Sequence, residues 1–471
     1  MNDQPASSLA PAAKPLPAEA QEVLALIEEA RQRNAADDRD GAIEIYARLL
    51  DRYPALPDAH NDLAILLKAA NRLPAAIAHL RRALAYAPDQ AALHSNLGNM
   101  LWMSLCFDEA MAEFRRAIEI DANRPEVYHN LGLLYFSLGD YAAAIASYDR
   151  ALAIQPDNKL VAWDRSLALL ASGDLARGFA AYEVRLDLED RSMGFDPTLR
   201  RVRSLPLPLW QGEPLAGKTL YVYAEQGLGD SVQFARFLTL AARRGARVIF
   251  DCQPELLRLL ANLPGLAELR PAGAPLPTAD FHCPLMGLPL RLGITLDSLP
   301  NDAPYLVPPP MIVGPRLPLP AGTRLAVGIV WAGRPAHTND LNRSMPLEHF
   351  LSLADLPGVA LYSLQVGPRA ADIRALSAHG LVHDLSPEIH DFADTARFIL
   401  QLDRVVTIDS AVAHLAGALA RPAFVLLPFT PDWRWLRGRE DSPWYPTLRL
   451  FRQQSPRDWD GVMRQVRAAL V

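Results

Sequence analysis

Residues 125–158 read PEVYHNLGLLYFSLGDYAAAIASYDRALAIQPDN, and this stretch decides the fold of the first part of the chain. Large apolar residues recur in it at the i, i+3, i+4 spacing of an amphipathic helix, and Pro156 ends the second of two such segments. Moving back in steps of 34 residues finds the same residue types, so that Ala110 and Ala76 match Ala144. A fixed period of this length predicts helical pairs that stack into an array.

The repeated pattern resembles the tetratricopeptide repeat. About five units fit residues 21–192, after a leader over residues 1–20 whose Ala, Pro and Ser bias predicts disorder, and before a linker over residues 193–209. Small residues such as Gly98 and Gly132 let the two helices of a unit approach each other closely. The resemblance implies a superhelix whose concave face binds a protein or an extended peptide.

Three asparagines recur near one position of the repeat, namely Asn61, Asn96 and Asn130. Two interpretations fit them. Their amides either hydrogen-bond the backbone of a bound peptide, or they hold a helix to its neighbour or simply face water. The repeat pattern alone does not choose between these roles.

Composition divides the chain of 471 residues at the same boundary. Residues 1–192 hold only 10 of the 40 prolines and 6 of the 26 glycines, and their formal net charge is −9. Residues 193–471 hold the remaining prolines and glycines and have a net charge of +3. The acidic total of −6 argues against general nucleic-acid binding, which needs a basic surface to neutralise phosphates.

The cysteines, the N-terminus and the apolar runs predict a cytoplasmic protein. Cys106, Cys252 and Cys283 are far apart and lack the spacing of a disulfide framework or a zinc site, which fits a reducing compartment. Residues 1–20 lack a basic segment followed by an apolar one, so no secretory signal is expected. No run is long and apolar enough for a transmembrane helix.

From Trp210 onward, short apolar runs alternate with helical periodicity, which predicts parallel α/β architecture. The first alternation includes a strand over residues 219–225 and helices over residues 231–244 and 255–263. A proline-rich linker over residues 300–320 separates it from a second alternation. The fold class is therefore an all-α repeat solenoid followed by α/β structure. We expect two Rossmann-like domains, over 210–312 and 321–471, with ligands at the carboxyl ends of their strands.

The first loop of interest contains Gly227, Gly229 and Asp230, between a predicted strand and the helix that follows it. The glycines permit a tight turn and close approach of the backbone to a bound ligand. The Asp230 carboxylate is either a general base for an acceptor hydroxyl or a cap of the helix.

The second loop opens a predicted helix directly after a strand. Its N–H groups, from Ser410, Ala411 and Val412 onward, and the positive end of the helix dipole suit a diphosphate. Asp409 either binds a sugar hydroxyl or caps the helix. His414, one turn into the helix, is a candidate site residue, although a lone histidine is more often a buried structural one.

The third loop contains Arg343, which either pairs with phosphate through its planar guanidinium or forms an interdomain salt bridge. Aromatic residues cluster over 432–435 and 444–445, where they either pack the core or stack on a base or sugar. None of the three loops has metal-ligand spacing, and neither a Walker A sequence nor a complete G-x-G-x-x-G sequence occurs.

Together these loops resemble those of the family 9 glycosyltransferases, a heptosyltransferase-like group with the GT-B fold. Gly229-Asp230 matches the family's Gly-Asp pair, whose aspartate is the proposed base, and residues 409–416 match its Asp-Ser/Thr-Gly-x-x-His-x-Ala signature. The signature's glycine is Ala411 here, and Arg343 replaces a lysine. The order of modules is similar to that of O-linked N-acetylglucosamine transferases, which bind protein substrates through their repeats.

The resemblance implies an inverting, metal-independent transfer of a sugar from a nucleotide sugar to a protein or glycan acceptor. Asp230 is then the base. Gly227, Gly229, Arg343 and residues 409–412 and 414 contact the donor, no cofactor is needed, and the repeats recruit the acceptor. The competing interpretation is a non-catalytic scaffold whose α/β part binds a nucleotide sugar or is inactive.

Overall fold

The computed structural model describes residues 17–188, 205–308, 316–335 and 339–471. The described residues therefore exclude most of the predicted leader and most of the 193–209 linker. They also exclude the middle of the 300–320 linker. The chain forms two compact units, Met1–Leu134 and Tyr135–Val471. Residues 135–188, which include the end of the predicted repeat array, thus belong to the same unit as both sheets.

Antiparallel helical pairs of the kind that the period predicts make up the first unit. The first helix already begins at Ala18, inside the stretch predicted to be a disordered leader. Three pairs pack within this unit, α1 with α2, α3 with α4 and α5 with α6, and a seventh helix crosses into the second unit. The helices are α1 (Ala18–Ala35), α2 (Arg39–Arg52), α3 (Pro57–Ala69), α4 (Leu73–Tyr86), α5 (Ala91–Met103), α6 (Phe107–Ile120) and α7 (Pro125–Leu138).

Small residues at a fixed repeat position allow the close packing of these pairs. Ala42, Ala76 and Ala110 are fully buried at intervals of 34 residues. A Cβ atom built on Gly98 would come within 2.7 Å of the Phe114 ring, so the glycine is what lets that ring pack between α5 and α6. The predicted all-α repeat array is confirmed.

Two of the three recurring asparagines contact each other. Asn96 Nδ2 donates a hydrogen bond of 2.6 Å to Asn61 Oδ1, between α5 and α3. This contact supports the interpretation that these amides hold neighbouring repeats together. The peptide-binding interpretation remains a prediction.

The second unit begins with the last helices of the array. They are α8 (Tyr141–Ile154), α9 (Lys159–Ala171) and α10 (Leu175–Tyr182), and a short 3₁₀ turn, Glu183–Asp187, follows α10.

A parallel sheet with the strand order β3-β2-β1-β4 follows. Val222 in the inner strand β1 pairs with Phe250 on one side and Cys283 on the other. The strands are β1 (Thr219–Tyr223), β2 (Arg247–Cys252), β3 (Leu266–Pro271) and β4 (Phe281–Pro284), and the helices are α11 (Leu228–Arg243), α12 (Leu257–Leu260) and α13 (Leu288–Leu292).

The second sheet is also parallel, with the order β10-β9-β8-β5-β6-β7. Its strands are β5 (Leu325–Val330), β6 (Val359–Ser363), β7 (Val382–Asp384), β8 (Arg404–Ile408), β9 (Ala423–Leu427) and β10 (Leu448–Arg452). Its helices are α14 (Asp340–Arg343), α15 (Leu347–Leu351), α16 (Asp372–Ala375), α17 (Phe392–Gln401), α18 (Ala411–Ala418) and α19 (Trp459–Leu470). The region after the repeats therefore contains the parallel sheets that the alternating pattern predicts.

Some predicted boundaries were wrong for local reasons. The helix predicted over 231–244 begins at Leu228, because Gly227 rather than a later residue is its N-cap. The helix predicted over 255–263 is only a 3₁₀ turn, Pro254–Leu256, and the single turn of α12. Pro264 disfavours a helical conformation at Leu263, and this shortens the segment.

One apolar core joins the end of the repeats to the sheets. It contains Phe179 from α10, Phe234 from α11 and Leu415 from α18, all essentially inaccessible. A separate core on the other face of the second sheet contains Val327 and Val406.

A search for membrane-spanning helices gave no candidate within the described ranges. None of these helices combines the length and the apolar character that crossing a lipid bilayer requires.

Candidate functional site

The first turns of two helices, one following each sheet, meet at the candidate site. A Cβ atom built on Gly229 in α11 would lie 3.2 Å from Ala411 Cα and 3.1 Å from His414 Cδ2 in α18. Only a residue without a side chain permits so close an approach without displacing backbone. Two loops that the sequence predicts to carry chemistry are thus brought together.

Asp230 occupies the third position of α11, where its carboxylate is held on both sides. One oxygen accepts a hydrogen bond of 2.9 Å from the Gly227 N–H, which caps the helix. The other accepts a charge-assisted bond of 2.5 Å from Arg434 Nη2. The side chain is 23% exposed, so the carboxylate can still be reached from solvent.

Arg434 is the central cation of this site, and it lies in the 3₁₀ turn Trp433–Trp435 after β9. Besides Asp230, its guanidinium donates to Asp432 Oδ1 at 2.9 Å and to Gln233 Oε1 at 2.7 Å. Its Cζ atom lies 4.4 Å from the centre of the Trp433 ring. Our sequence interpretation assigned this segment only an aromatic role. An arginine between two tryptophans, in the loop that follows the buried strand β9, was the available signal.

Asp409 is buried at the carboxyl end of β8. Burial raises the pKa of its carboxyl group, since the charged form loses its hydration, and the neighbouring Asp432 carboxylate raises it further. The Arg343 and Arg434 guanidinium groups oppose this rise. Asp409 therefore interacts electrostatically with both arginines. It lies at the carboxyl end of β8, as predicted from the sequence.

Ser410 is the N-cap of α18. Its hydroxyl oxygen accepts a hydrogen bond of 3.3 Å from the Val412 N–H and lies 3.0 Å from the Thr407 hydroxyl. One of the amides expected to bind a diphosphate, that of Val412, thus already has a partner in this conformation. Ser410 and Ala411 are partly exposed, so a ligand can reach this end of the helix.

His414 is buried in the first turns of α18, against two aromatic residues. Its Nδ1 atom shares a hydrogen bond of 3.0 Å with the Tyr445 hydroxyl, and its ring stacks on the Trp435 ring with 5.3 Å between the ring centres. Burial lowers the pKa of the imidazole well below its ordinary value, and the charges of Arg434, Arg236 and Arg343 lower it further. These contacts favour the interpretation of His414 as a neutral, structural histidine.

The suppressed protonation of His414 predicts a pH dependence of stability. Below about pH 6.5 the unfolded chain protonates this histidine while the folded chain does not, so the free energy of unfolding falls as pH decreases. One such group contributes up to about 1.4 kcal/mol per pH unit. We expect His414→Gln to flatten the decline in stability between pH 6.5 and 5, measured by urea denaturation. Equal slopes for wild type and His414→Gln would contradict this account.

Arg343 lies at one side of the site, at the end of α14 in the segment that follows β5. Its Nε atom lies 3.5 Å from Asp340 Oδ1, and its guanidinium packs over Gly333, where a Cβ atom would clash with it. Among the described residues, this buried Nε has no hydrogen-bond acceptor. The salt bridge of Arg343 is thus local to its own loop. The ion pair that links the two sheet-bearing regions at this site is Arg434–Asp230.

The arrangement combines two arginines, a helix N-terminus and a partly exposed carboxylate. The cations and the start of α18 can stabilise negative charge, and Asp230 can accept a proton. In the ranges that the structure covers, no group of three or more His, Cys, Asp or Glu side chains could hold a metal ion. Metal independence of any reaction remains a prediction.

Comparison with known protein families found matches in the repeat region. Models described as "Tetratricopeptide repeat" match residues 33–99 and 125–158, and a model described as "TPR repeat" matches residues 107–139. The N-terminal region is an array of tetratricopeptide repeats. Such an array is a scaffold for protein interaction.

Among curated proteins, the chain is similar to Protein FlbA of Caulobacter vibrioides, with 27% identity over 303 residues. The match covers 59% of this chain and 50% of FlbA, so the chain spans about half the length of that relative. Among solved structures, MamA is 23% identical at a TM-score of 0.31, covering 34% of this chain and 92% of MamA. The type IV pilus biogenesis factor PilW is 22% identical at a TM-score of 0.34, covering 36% and 80%.

Proposed function

We propose that this protein is a glycosyltransferase that moves a sugar from a nucleotide-sugar donor to a protein or glycan acceptor. The two parallel sheets would be the Rossmann-like domains of a GT-B fold. One observation carries the proposal: the first turn of α11, with Asp230, packs on the first turn of α18 beside Arg343 and Arg434. This packing brings together a carboxylate, a helix N-terminus and two guanidinium groups, and it supports their assignment as base, diphosphate site and cations of one active site.

The donor's diphosphate binds at the N-terminus of α18. The helix dipole and the exposed end of the helix, at Ser410 and Ala411, favour negative charge there. Arg343 contributes a guanidinium whose Nε atom has no hydrogen-bond acceptor within the part of the chain that the structure describes. As the bond between the sugar and the diphosphate breaks, these groups stabilise the charge on the leaving nucleoside diphosphate. Gly227 and Gly229 leave room for the donor beside the α11 turn.

Asp230 acts on the acceptor. Its carboxylate takes the proton of the acceptor hydroxyl while that oxygen attacks the anomeric carbon from the face opposite the diphosphate, whose oxygen keeps the bonding electron pair. Arg434 donates a charge-assisted hydrogen bond to the Asp230 carboxylate and so fixes its orientation. Attack from the opposite face inverts the anomeric configuration.

The repeats recruit the acceptor. Tetratricopeptide arrays bind proteins and extended peptides along a concave surface. A protein acceptor therefore agrees with the presence of repeats ahead of the transferase region. The sugar, the nucleotide and the acceptor protein are for experiment to identify.

A non-catalytic scaffold is the second candidate function. The observation in its favour is that both carboxylate oxygens of Asp230 already have partners, the Gly227 N–H and Arg434. On this view Asp230 caps α11 and joins the two domains. A transfer assay separates the candidates, because only the transferase forms a glycosylated product.

Donor binding tests the proposed phosphate site. A thermal-shift screen with uridine, guanosine, thymidine, adenosine and cytidine nucleotide sugars identifies the donor, and titration calorimetry then gives its Kd. Arg343→Gln should weaken donor binding about tenfold or more, since a hydrogen bond to a charged group contributes about 1.5–3 kcal/mol. Arg324→Gln removes an exposed arginine at the start of β5 and should leave the Kd unchanged. An unchanged Kd in Arg343→Gln would exclude Arg343 from the donor site.

A further inference from the structure

The last repeat is joined to the candidate site by a buried ion pair. Arg185, in the turn after α10, donates from Nε to Glu225 Oε2 at 3.0 Å and from Nη2 to Glu225 Oε1 at 2.9 Å. Both side chains are completely inaccessible. Glu225 Oε1 also accepts a bond of 2.9 Å from the Met286 N–H. Glu225 lies two residues before Gly227, so this pair fixes the start of the loop that carries Asp230.

A chain of hydrogen bonds continues from the last repeat along the same loop. The buried Tyr182 hydroxyl accepts a bond of 2.9 Å from Gln226 Nε2. The Gln226 carbonyl accepts one of 2.8 Å from Gln253 Nε2, and the Ser231 hydroxyl donates one of 2.9 Å to Gln253 Oε1. The loop is therefore held at Gln226 and at Ser231, on both sides of Asp230.

The same repeat packs against the aromatic rings around Arg434. The Phe179 ring of α10 meets the Trp433 ring edge-on at 5.9 Å and the Phe234 ring edge-on at 6.5 Å. The Arg434 guanidinium lies over both of these rings, at 4.4 Å and 5.8 Å. One helix of the repeat array thus supports both partners of the Asp230–Arg434 pair.

We propose that the last repeat is part of the candidate active site, with Tyr182 and Arg185 as positioning residues for Asp230. This inference rests on the proposed glycosyl transfer. The two side chains hold residues 225–231 so that the carboxylate faces the N-terminus of α18. Neither touches the donor or the acceptor. The repeat array and the transferase region consequently share a structural element, and the site is incomplete without residues 159–187.

Tyr182→Phe tests this role with the full-length protein, because it removes one hydroxyl group and keeps the ring. Amide hydrogen exchange over residues 226–231 should become about fivefold faster, and kcat should fall about fivefold, since one hydrogen bond contributes about 1 kcal/mol to holding the loop. The KM for the donor should stay within about twofold, because the donor binds mainly to the second domain. Tyr148→Phe, at a buried tyrosine of α8, is the matched control and should change neither exchange in the loop nor kcat.

The outcomes are distinguishable. Unchanged exchange over residues 226–231 in Tyr182→Phe would overturn the positioning role. Faster exchange with an unchanged kcat would also overturn it and would leave the proposed transfer intact. If wild type transfers no sugar from any donor, the proposed function fails, and hydrogen exchange alone then decides whether the last repeat holds the loop.

Discussion

Asp230→Asn is expected to lower the rate of sugar transfer by about 10²–10⁴-fold, the range that a general base contributes. The asparagine side chain keeps an oxygen that can accept the Gly227 N–H, so the cap of α11 survives. Arg434 keeps Asp432 and Gln233 as acceptors. The substitution therefore removes the basic carboxylate and its ion pair with Arg434 while the cap and the other contacts of Arg434 persist, and donor affinity should change little.

The control for this prediction is Asp458→Asn. Asp458 also caps a helix, α19, by accepting a 2.8 Å hydrogen bond from the N–H of a glycine three residues later, Gly461. It lies outside the site, so its substitution should leave kcat unchanged. Kinetics with the donor found in the screen give both values. A kcat for Asp230→Asn equal to that of wild type would assign Asp230 a purely structural role.

Arg185→Met is expected to destabilise the second unit by about 3–5 kcal/mol, the cost of leaving a buried charge without its partner. Methionine fills much of the volume of the arginine stem but leaves the Glu225 carboxylate inaccessible and uncompensated. Urea denaturation followed by tryptophan fluorescence measures the loss. Adding Glu225→Gln should recover part of it, because the neutral amide can still accept the Met286 N–H.

Arg177→Met is the matched control, from the same repeat. Arg177 pairs with Asp174 at 3.2 Å, but its side chain is 62% exposed, so this loss should stay below about 1 kcal/mol. If Arg185→Met were no more destabilising than Arg177→Met, the buried pair would not join the repeat to the sheet.

Strands that are buried on both faces were predictable from the sequence. The bounds of β5, β8 and β9 follow from continuous apolar runs, which inner strands of a parallel sheet require. The strands β3, β4 and β7 lie at sheet edges and were not predicted. In β3 the charged residues Glu268 and Arg270 interrupt the apolar ones, and β7 has only three residues, so neither contains an apolar run.

Some residues of the candidate site could be predicted from the sequence, and others could not. Asp230 and the start of α18 were identifiable because both follow buried strands, where parallel sheets place ligands. Arg434 and Arg185 were not, since their partners are distant in sequence: Asp230 is 204 residues from Arg434, and Glu225 is 40 residues from Arg185. No local pattern encodes such pairs. The last repeat packs in one core with the sheets, a contact that no local pattern encodes either.

Sugar transfer itself is the measurement that tests the central claim. Purified protein is incubated with each nucleotide sugar and a cell lysate as acceptor, and intact-mass and peptide mass spectrometry identify modified proteins. The account predicts a protein mass increase equal to one sugar residue with wild type and one donor, and its near loss with Asp230→Asn. No mass increase with any donor, or an equal increase with Asp230→Asn, would contradict it.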